Sequence, residues 1–240
     1  MKKIGIIGGL GPEATIDYYR IIIELYREKQ NGNFPEVIIH SLSMNEFSDM
    51  LKKKEQNKII SWLTNAVKSL QSAGADFAII ASNTPHFVFD EVKALSPIPL
   101  LSIVEETCKK ALNLGLKKIG LMGTKITMNT DFYQKVFSKE GISIVVPNGQ
   151  EQNYIQQKLW TEIMFNKIIE DTRQELLKIV KRMIDSASIQ GMIVGCTELP
   201  LILTKDEFGI PFLNTTRIHV ESAVRYCLKI EDGALPGPSP

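Results

Sequence analysis

KKIGIIG, at residues 2–8, recurs almost unchanged as KKIGLMG at residues 117–123. A second pair follows the same pattern, because SAGADFAIIASNTPH at residues 72–86 is similar to SASIQGMIVGCTELP at residues 186–200. The members of the two pairs are separated by 115 and 114 residues. Two independent pairs at nearly the same separation indicate an internal duplication rather than chance similarity between strands.

Each half of the chain begins with a short strand rich in isoleucine and glycine, of the kind that is buried on both faces of a parallel sheet. Strands that alternate with helices predict right-handed βαβ units. The predicted fold class is therefore α/β, with two similar lobes, each a parallel sheet flanked by helices. We expect the lobes to be related by a pseudo-twofold axis, with the active site between them. Further strands are predicted at residues 36–42, 76–81, 99–103, 142–146, 191–195 and 210–214, and helices at residues 12–29, 46–72, 125–139, within 152–186 and at 215–228.

The two lobes are expected to divide the chain discontinuously. The first lobe is predicted to combine residues 1–100 with residues 210–230, because the helix at residues 215–228 is expected to return to it. The second lobe is predicted to comprise residues 101–209. Residues 231–240 carry proline and glycine too densely to pack, and are expected to form a loose tail.

Composition excludes several classes of protein. Hydrophobic residues make up 44% of the chain, charged residues 23%, and the net charge is +1, which is typical of a soluble globular protein. The single basic run, at residues 52–54, predicts a solvated helix face and disfavours nucleic acid as a partner. No apolar stretch approaches the length of a membrane span, and the apolar part of the N-terminal segment is too short for a secretory signal.

The three cysteines, Cys108, Cys196 and Cys227, are odd in number and widely spaced. They lack metal-ligand spacing, and His40 and His219 have no second ligand placed to complete a metal site. This usage predicts free thiols in a reducing cytoplasm, with no disulfide framework and no metal.

The candidate catalytic residues lie at corresponding places in the duplicated segments. Ser82 and Cys196 each follow a predicted strand, and ligands of open parallel sheets bind beyond the carboxyl ends of the strands. If the lobes are related by a pseudo-twofold axis, the two side chains face each other across the cleft. One group on each face of a carbon suits removal of an α-proton from an amino acid on one side and its return on the other, which is racemisation.

Five segments, in this order and along nearly the whole chain, resemble the aspartate/glutamate racemase family: GIIGGLGPEAT, SNTPH, MGTKITMNTDFY, GCTELP and FLNTTRIHVESAV. The resemblance implies two α/β lobes, an active site between them, no pyridoxal phosphate and a homodimer. It also implies an amino-acid substrate, aspartate and/or glutamate. The usual catalytic pair of the family is two cysteines in CNT and GCT motifs. Cys196 matches the second cysteine, and Ser82 occupies the place of the first.

The exchange of sulfur for oxygen at residue 82 changes the chemistry. A thiol has a reference pKa of about 8.5, whereas a serine hydroxyl is far too weak an acid to rest as an alkoxide. Ser82 could donate its proton directly, pass a proton through water with His86 as a helper, or only bind substrate. The resemblance implies that a hydroxyl here favours one enantiomer, with Cys196 acting on the face of the L-amino acid.

Other residues of these motifs are candidates for substrate contact or for local structure. Ser82, Asn83 and Thr84 also suit a turn and helix cap, although helix N-termini offer amides to a carboxylate. Glu198 could polarise the proton transfer at Cys196 or merely cap a helix. The predicted substrate-binding residues are Gly9, Leu10, Asn83, Thr84, Pro85, Thr124, Thr127 and Thr197.

The glycine loop GIIGGLGP also invites a dinucleotide-binding interpretation, but its spacing is not G-x-G-x-x-G and no acid lies at the tip of the second strand. No cofactor is therefore expected. Aspartate-selective members of the family place basic side chains in the cleft, yet SMNEFSDML and TEIMFNKII offer no arginine and only Lys167.

Three function classes stay open on the sequence. The first is an amino-acid racemase. The second is a one-cysteine decarboxylase or isomerase of small dicarboxylates, because a single thiol suits protonation of one face of an enolate. The third is a non-catalytic amino-acid-binding protein.

Overall fold

The computed structural model describes residues 1–230, and the expected loose tail at residues 231–240 lies outside the described residues. Two parallel four-stranded sheets form the framework, with strand orders β2-β1-β3-β4 and β6-β5-β7-β8. The two orders are the same when counted within each half, which agrees with the duplication. The predicted α/β fold with two similar lobes is confirmed. The strands are β1 (Ile4–Gly8), β2 (Val37–Ser41), β3 (Phe77–Ile80), β4 (Leu100–Leu101), β5 (Lys118–Gly123), β6 (Ser143–Val145), β7 (Met192–Gly195) and β8 (Phe212–Asn214).

Helices flank both sheets, so the central strands are buried on both faces; every residue of β1, β3 and β7 is buried. The helices are α1 (Pro12–Lys29), α2 (Met44–Lys52), α3 (Gln56–Ser72), α4 (Phe89–Leu95), α5 (Ile103–Asn113), α6 (Lys125–Asn129), α7 (Phe132–Lys139), α8 (Gly149–Thr161), α9 (Glu170–Ala187) and α10 (Thr215–Leu228).

Two predicted helices are each divided in the structure. The helix expected at residues 46–72 is α2 followed by α3, because Lys54 adopts a left-handed backbone with φ of 56°. The helix expected at residues 125–139 is α6 followed by α7, since Thr130 is extended, with φ of −96° and ψ of 160°. The strand expected at residues 99–103 shrinks to β4 because Ser102 caps α5, accepting a hydrogen bond from the Glu105 N–H.

The C-terminal elements connect the two lobes. Strand β8 pairs with β7 in the second sheet, whereas the sequence analysis assigned residues 210–214 to the first lobe. Helix α10 then packs Val220 and Val224 into the cluster around α1 and β1, while Ile218 joins the cluster of the second lobe. We therefore propose a boundary after Asn214, at the start of α10, rather than before residue 210.

Candidate active site

A cavity of about 180 Å³ lies between the lobes, beyond the carboxyl ends of the central strands. Leu10 follows β1 and Ser82 follows β3 on the first-lobe side; Thr124 follows β5 and Cys196 follows β7 on the second-lobe side. Ser82 and Cys196 are each only 7% exposed, yet both line this cavity. The hydroxyl of Ser82 and the thiol of Cys196 thus lie at equivalent strand ends of the two sheets and line the same small cavity.

Cys196 is coupled to a buried carboxylate. Its thiol donates a hydrogen bond to Oε2 of Glu198 over 3.0 Å, and the Thr197 hydroxyl donates to the same oxygen over 2.8 Å. Burial, followed by the charge of Glu198 and this hydrogen bond, raises the pKa of the Cys196 thiol well above its usual range. The sulfur therefore carries its proton, which points towards Glu198.

The glycine loop after β1 approaches this carboxylate from the first lobe. Gly11 has φ of +116°, and a Cβ there would lie 2.5 Å from Oε1 of Glu198. Gly9 has φ of +82°, and a Cβ there would lie 2.0 Å from the carbonyl oxygen of Leu42. Gly11 thus lies close to Glu198 of the second lobe and Gly9 lies close to the Leu42 backbone of the first lobe, so both close approaches require glycine.

His86 holds the backbone at Ser82. Its Nδ1–H donates to the Ser82 carbonyl over 2.9 Å, because a carbonyl can only accept, and Nε2 accepts from the Ile103 N–H over 3.3 Å. Burial, with a smaller effect of His219, lowers the pKa of His86 to about 3. His86 does not line the cavity. Both ring nitrogens are engaged in the neutral form, so we propose a structural role rather than the expected role as an acid/base helper.

His219 is fixed in the same way, away from the cavity. Its Nε2–H donates to the Leu101 carbonyl over 3.0 Å, so Nδ1 accepts from the Tyr18 hydroxyl over 2.9 Å. Burial lowers the pKa of His219 to about 4.

Hydrogen bonds link the two lobes beside the cavity. The Asn83 side chain donates to the Thr215 hydroxyl over 3.0 Å and accepts from the Tyr133 hydroxyl over 2.7 Å. The hydroxyls of Thr84 and Thr124 lie 3.1 Å apart, so the segment after β3 is hydrogen-bonded to the segment after β5. Polar residues of both sequence motifs therefore fix the relative position of the two strand ends.

The structure brings together most of the predicted site residues. Those that line the cavity are Leu10, Ser82, Asn83, Thr84, Thr124, Cys196, Thr197 and Glu198, whereas Gly9, Pro85, His86 and Thr127 do not line it.

No role was predicted for the individual side chains on the opposite side of the cavity. Met44, Phe47, Ser48 and Leu51 come from α2, and Gln156, Leu159, Trp160 and Met164 come from α8 and the turn after it. Residues within each set recur at separations of three and four positions, and this helical spacing was the signal in the sequence that they share one helix face. Lys125 and Ile126, next to Thr124, complete the lining.

Within residues 1–230, no group of three or more His, Cys, Asp or Glu side chains is placed to hold a metal ion. In the same part of the chain, every helix is too short or too polar to cross a membrane.

Two similar parallel-sheet lobes, with a thiol and a hydroxyl at equivalent strand ends of one cavity, define a two-lobed α/β protein of the racemase type. The family model of Asp/Glu/Hydantoin racemase matches residues 7–223, and the chain belongs to this family. The predicted family and the enzyme class, an isomerase, are thereby confirmed.

Individual relatives extend along most of the chain. The broad specificity amino-acid racemase RacX of Bacillus subtilis (strain 168) is 27% identical, with 92% of this chain and 96% of the relative covered. The crystal structure of an aspartate racemase homologue from Pyrococcus horikoshii is 35% identical, with a TM-score of 0.81, and covers 95% of this chain and 100% of that one. The glutamate racemase of Aquifex pyrophilus shares the fold, with a TM-score of 0.64 at 20% identity over 93% of this chain and 83% of that one.

Proposed function

We propose that this protein is an amino-acid racemase that works without pyridoxal phosphate, with Cys196 and Ser82 as the two acid/base groups. The observation that carries the proposal is that both side chains, at equivalent strand ends of the two lobes, line one small cavity. Membership of the racemase family supports the reaction class.

Cys196 acts on the L-amino acid in this proposal. The thiolate takes the α-proton, so the Cα–H bond breaks and an S–H bond forms. The Ser82 O–H bond then breaks, and a new Cα–H bond forms on the opposite face. Exchange of protons with solvent returns the serine to the hydroxyl and the cysteine to the thiolate.

Because burial and Glu198 raise the pKa of Cys196, substrate binding is part of the activation in this proposal. An amino acid carries an ammonium group, and a positive charge beside a thiol favours the thiolate. Glu198, which already accepts a hydrogen bond from the thiol, attracts the same ammonium. The thiolate therefore forms when substrate is present, which limits unproductive chemistry of the free enzyme.

The substrate is proposed as a single small amino acid. The family resemblance implies aspartate and/or glutamate. A relative named for broad specificity supports a wider range of side chains. The cavity lies below the roughly 300–1,000 Å³ of pockets that take drug-sized ligands, which suits a substrate of this size.

Proton NMR in deuterium oxide, with a panel of L- and D-amino acids, tests the function directly. The proposal requires exchange of the α-proton with inversion of configuration, and Cys196→Ala should abolish the exchange without lowering the melting temperature by more than a few degrees. Exchange without inversion would restrict the site to one face. Exchange that persists in Cys196→Ala would refute the assigned mechanism.

The presence of one thiol at the site favours a second candidate, a decarboxylase or isomerase of small dicarboxylates in which Cys196 protonates one face of an enolate. Incubation with substituted malonates, followed by measurement of released carbon dioxide, distinguishes this candidate from the racemase. If the protein only binds amino acids, calorimetry will detect binding in the absence of either reaction.

A homodimer in the cytoplasm is proposed for the working protein. All three cysteines are free and buried, which suits a reducing compartment, and the dimer follows the family resemblance. Light scattering coupled to size-exclusion chromatography will show whether the species in solution has twice the 26.9 kDa of the chain.

A further inference from the structure

One side of the cavity is an apolar wall formed by six side chains. Met44, Phe47 and Leu51 lie on one face of α2, and Leu159, Trp160 and Met164 lie on α8 and the turn that follows it. The acid/base residues and the hydroxyl-bearing strand ends lie on the opposite side, and the two polar residues that the same helices add to the lining, Ser48 and Gln156, carry no charge. The cavity is therefore divided into a polar side, suited to the ammonium and carboxylate of an amino acid, and an apolar side.

None of the six side chains of the apolar wall is a cation. Among the described residues that line the cavity, Lys125 is the single cation, and it is exposed at the start of α6, where it also borders a hollow on the outer surface. Lys167 does not line the cavity, and its charge acts on Glu162. Lys158 is also paired with Glu162. The wall thus offers no cation to a second carboxylate.

We propose that the apolar wall receives the side chain of the substrate, and that the substrates are amino acids with apolar side chains of medium size, such as leucine and methionine, rather than aspartate or glutamate. This inference rests on the proposed function. A carboxylate moved from water to the wall would lose its hydration without gaining an ionic partner, which is costly, whereas an apolar side chain gains from the same transfer.

The composition of the wall also sets the breadth of this selectivity. Met44 and Met164 contribute unbranched thioethers, which adapt to ligands of different shape. Trp160 is 42% exposed, so part of its ring faces solvent while the residue borders the cavity. We expect several apolar amino acids to be accepted at similar rates.

Initial rates of α-proton exchange for L-leucine, L-methionine, L-aspartate and L-glutamate test the proposal. The apolar substrates should have kcat/KM values about a hundredfold or more above those of the acidic ones. A preference for aspartate or glutamate would overturn the inference while leaving the racemase intact. If no amino acid exchanges, the proposed function fails, and calorimetric titration of the wild-type protein with L-methionine and L-aspartate decides the inference separately, since tighter binding of aspartate would refute it.

A pair of variants places the same charge inside and outside the cavity. Met164→Lys puts a cation in the apolar wall, whereas Phe165→Lys puts one on the neighbouring residue, which is 66% exposed and does not line the cavity. The ratio of kcat/KM for L-glutamate to that for L-methionine should rise at least about tenfold in Met164→Lys and stay within about twofold in Phe165→Lys. Equal ratios in the two variants would show that the wall does not contact the substrate side chain. Circular dichroism will establish that both variants are folded.

Discussion

Replacing the carboxylate beside the cysteine should make the thiol a stronger acid. In Glu198→Gln, the side chain keeps its shape but loses the negative charge 3.0 Å from the Cys196 sulfur. That charge opposes formation of the thiolate, and its removal leaves burial as the main cause of the raised pKa. We therefore expect the pKa of Cys196 to decrease and the fraction of thiolate at neutral pH to rise.

The size of the effect follows from the distance. Two unit charges at about 3 Å interact by about 5 kcal/mol at an effective dielectric constant of about 20. The expected outcome is a lower pKa for the Cys196 thiol, seen as at least about tenfold faster alkylation at neutral pH.

Alkylation by iodoacetamide as a function of pH measures this pKa, with the Cys196 peptide quantified by mass spectrometry. Peptide resolution separates Cys196 from Cys108 and Cys227, which are also free. The control is Glu175→Gln, because Glu175 is exposed on α9 and pairs with Lys178. A midpoint in Glu198→Gln that is unchanged or higher than in the wild type would refute the coupling described above.

Three further outcomes are expected. Ser82→Cys should raise the rate of Cα exchange, most for the D-enantiomer and by up to about a hundredfold, because the pKa of a thiol lies far nearer neutrality than that of a serine hydroxyl. An unchanged or lower rate for the D-enantiomer in the NMR assay would exclude Ser82 from the catalytic position. Gly11→Ala should reduce the rate of exchange at least about tenfold, because the added methyl group would contact the Glu198 carboxylate. Gly32 also has a positive φ but open space around it, so Gly32→Ala should alter only the melting temperature. Equal activities of the two variants would contradict the contact with Glu198. The pKa values of about 3 for His86 and about 4 for His219 lie below the unfolded value of about 6.5, so the unfolded state binds more protons in this window. The contribution of the two histidines to the free energy of unfolding should be fully present above pH 6.5. It should fall by about 1.4 kcal/mol per pH unit for each histidine down to pH 4. Urea titrations that give a flat profile would show that these rings are not buried in the neutral form.

The fold could be predicted where local sequence and tertiary packing agree. Helix α1 begins and ends where expected because Pro12 suits a first helical turn and the apolar residues keep one face. Helix α10 also matches its predicted bounds. The break at Lys54 could not be foreseen, since neither glycine nor proline marks the left-handed backbone there.

Some residues of the candidate site could also be predicted from the sequence, whereas others could not. Strand-end residues such as Ser82 and Cys196 could be placed on the cavity because parallel strands bring their carboxyl ends together. His86 could not be placed, since four residues of separation say nothing about which partners its ring nitrogens find. The face of α2 that lines the cavity also could not be predicted, because this assignment requires knowledge of the surface that the helix packs against.

The repeated sheet order explains how a hydroxyl, at Ser82, and a thiol, at Cys196, can lie at equivalent positions of one cavity. Two identical half-chains joined by a twofold axis must present the same side chain to both faces of a ligand. A duplication within one chain removes that constraint, so residues 82 and 196 can diverge into oxygen and sulfur. For a racemase the divergence has a thermodynamic limit, because mirror-image amino acids have equal free energy and their equilibrium ratio stays at one. The asymmetry can therefore change how readily the enzyme saturates with each enantiomer, but kcat/KM for the two directions must remain equal.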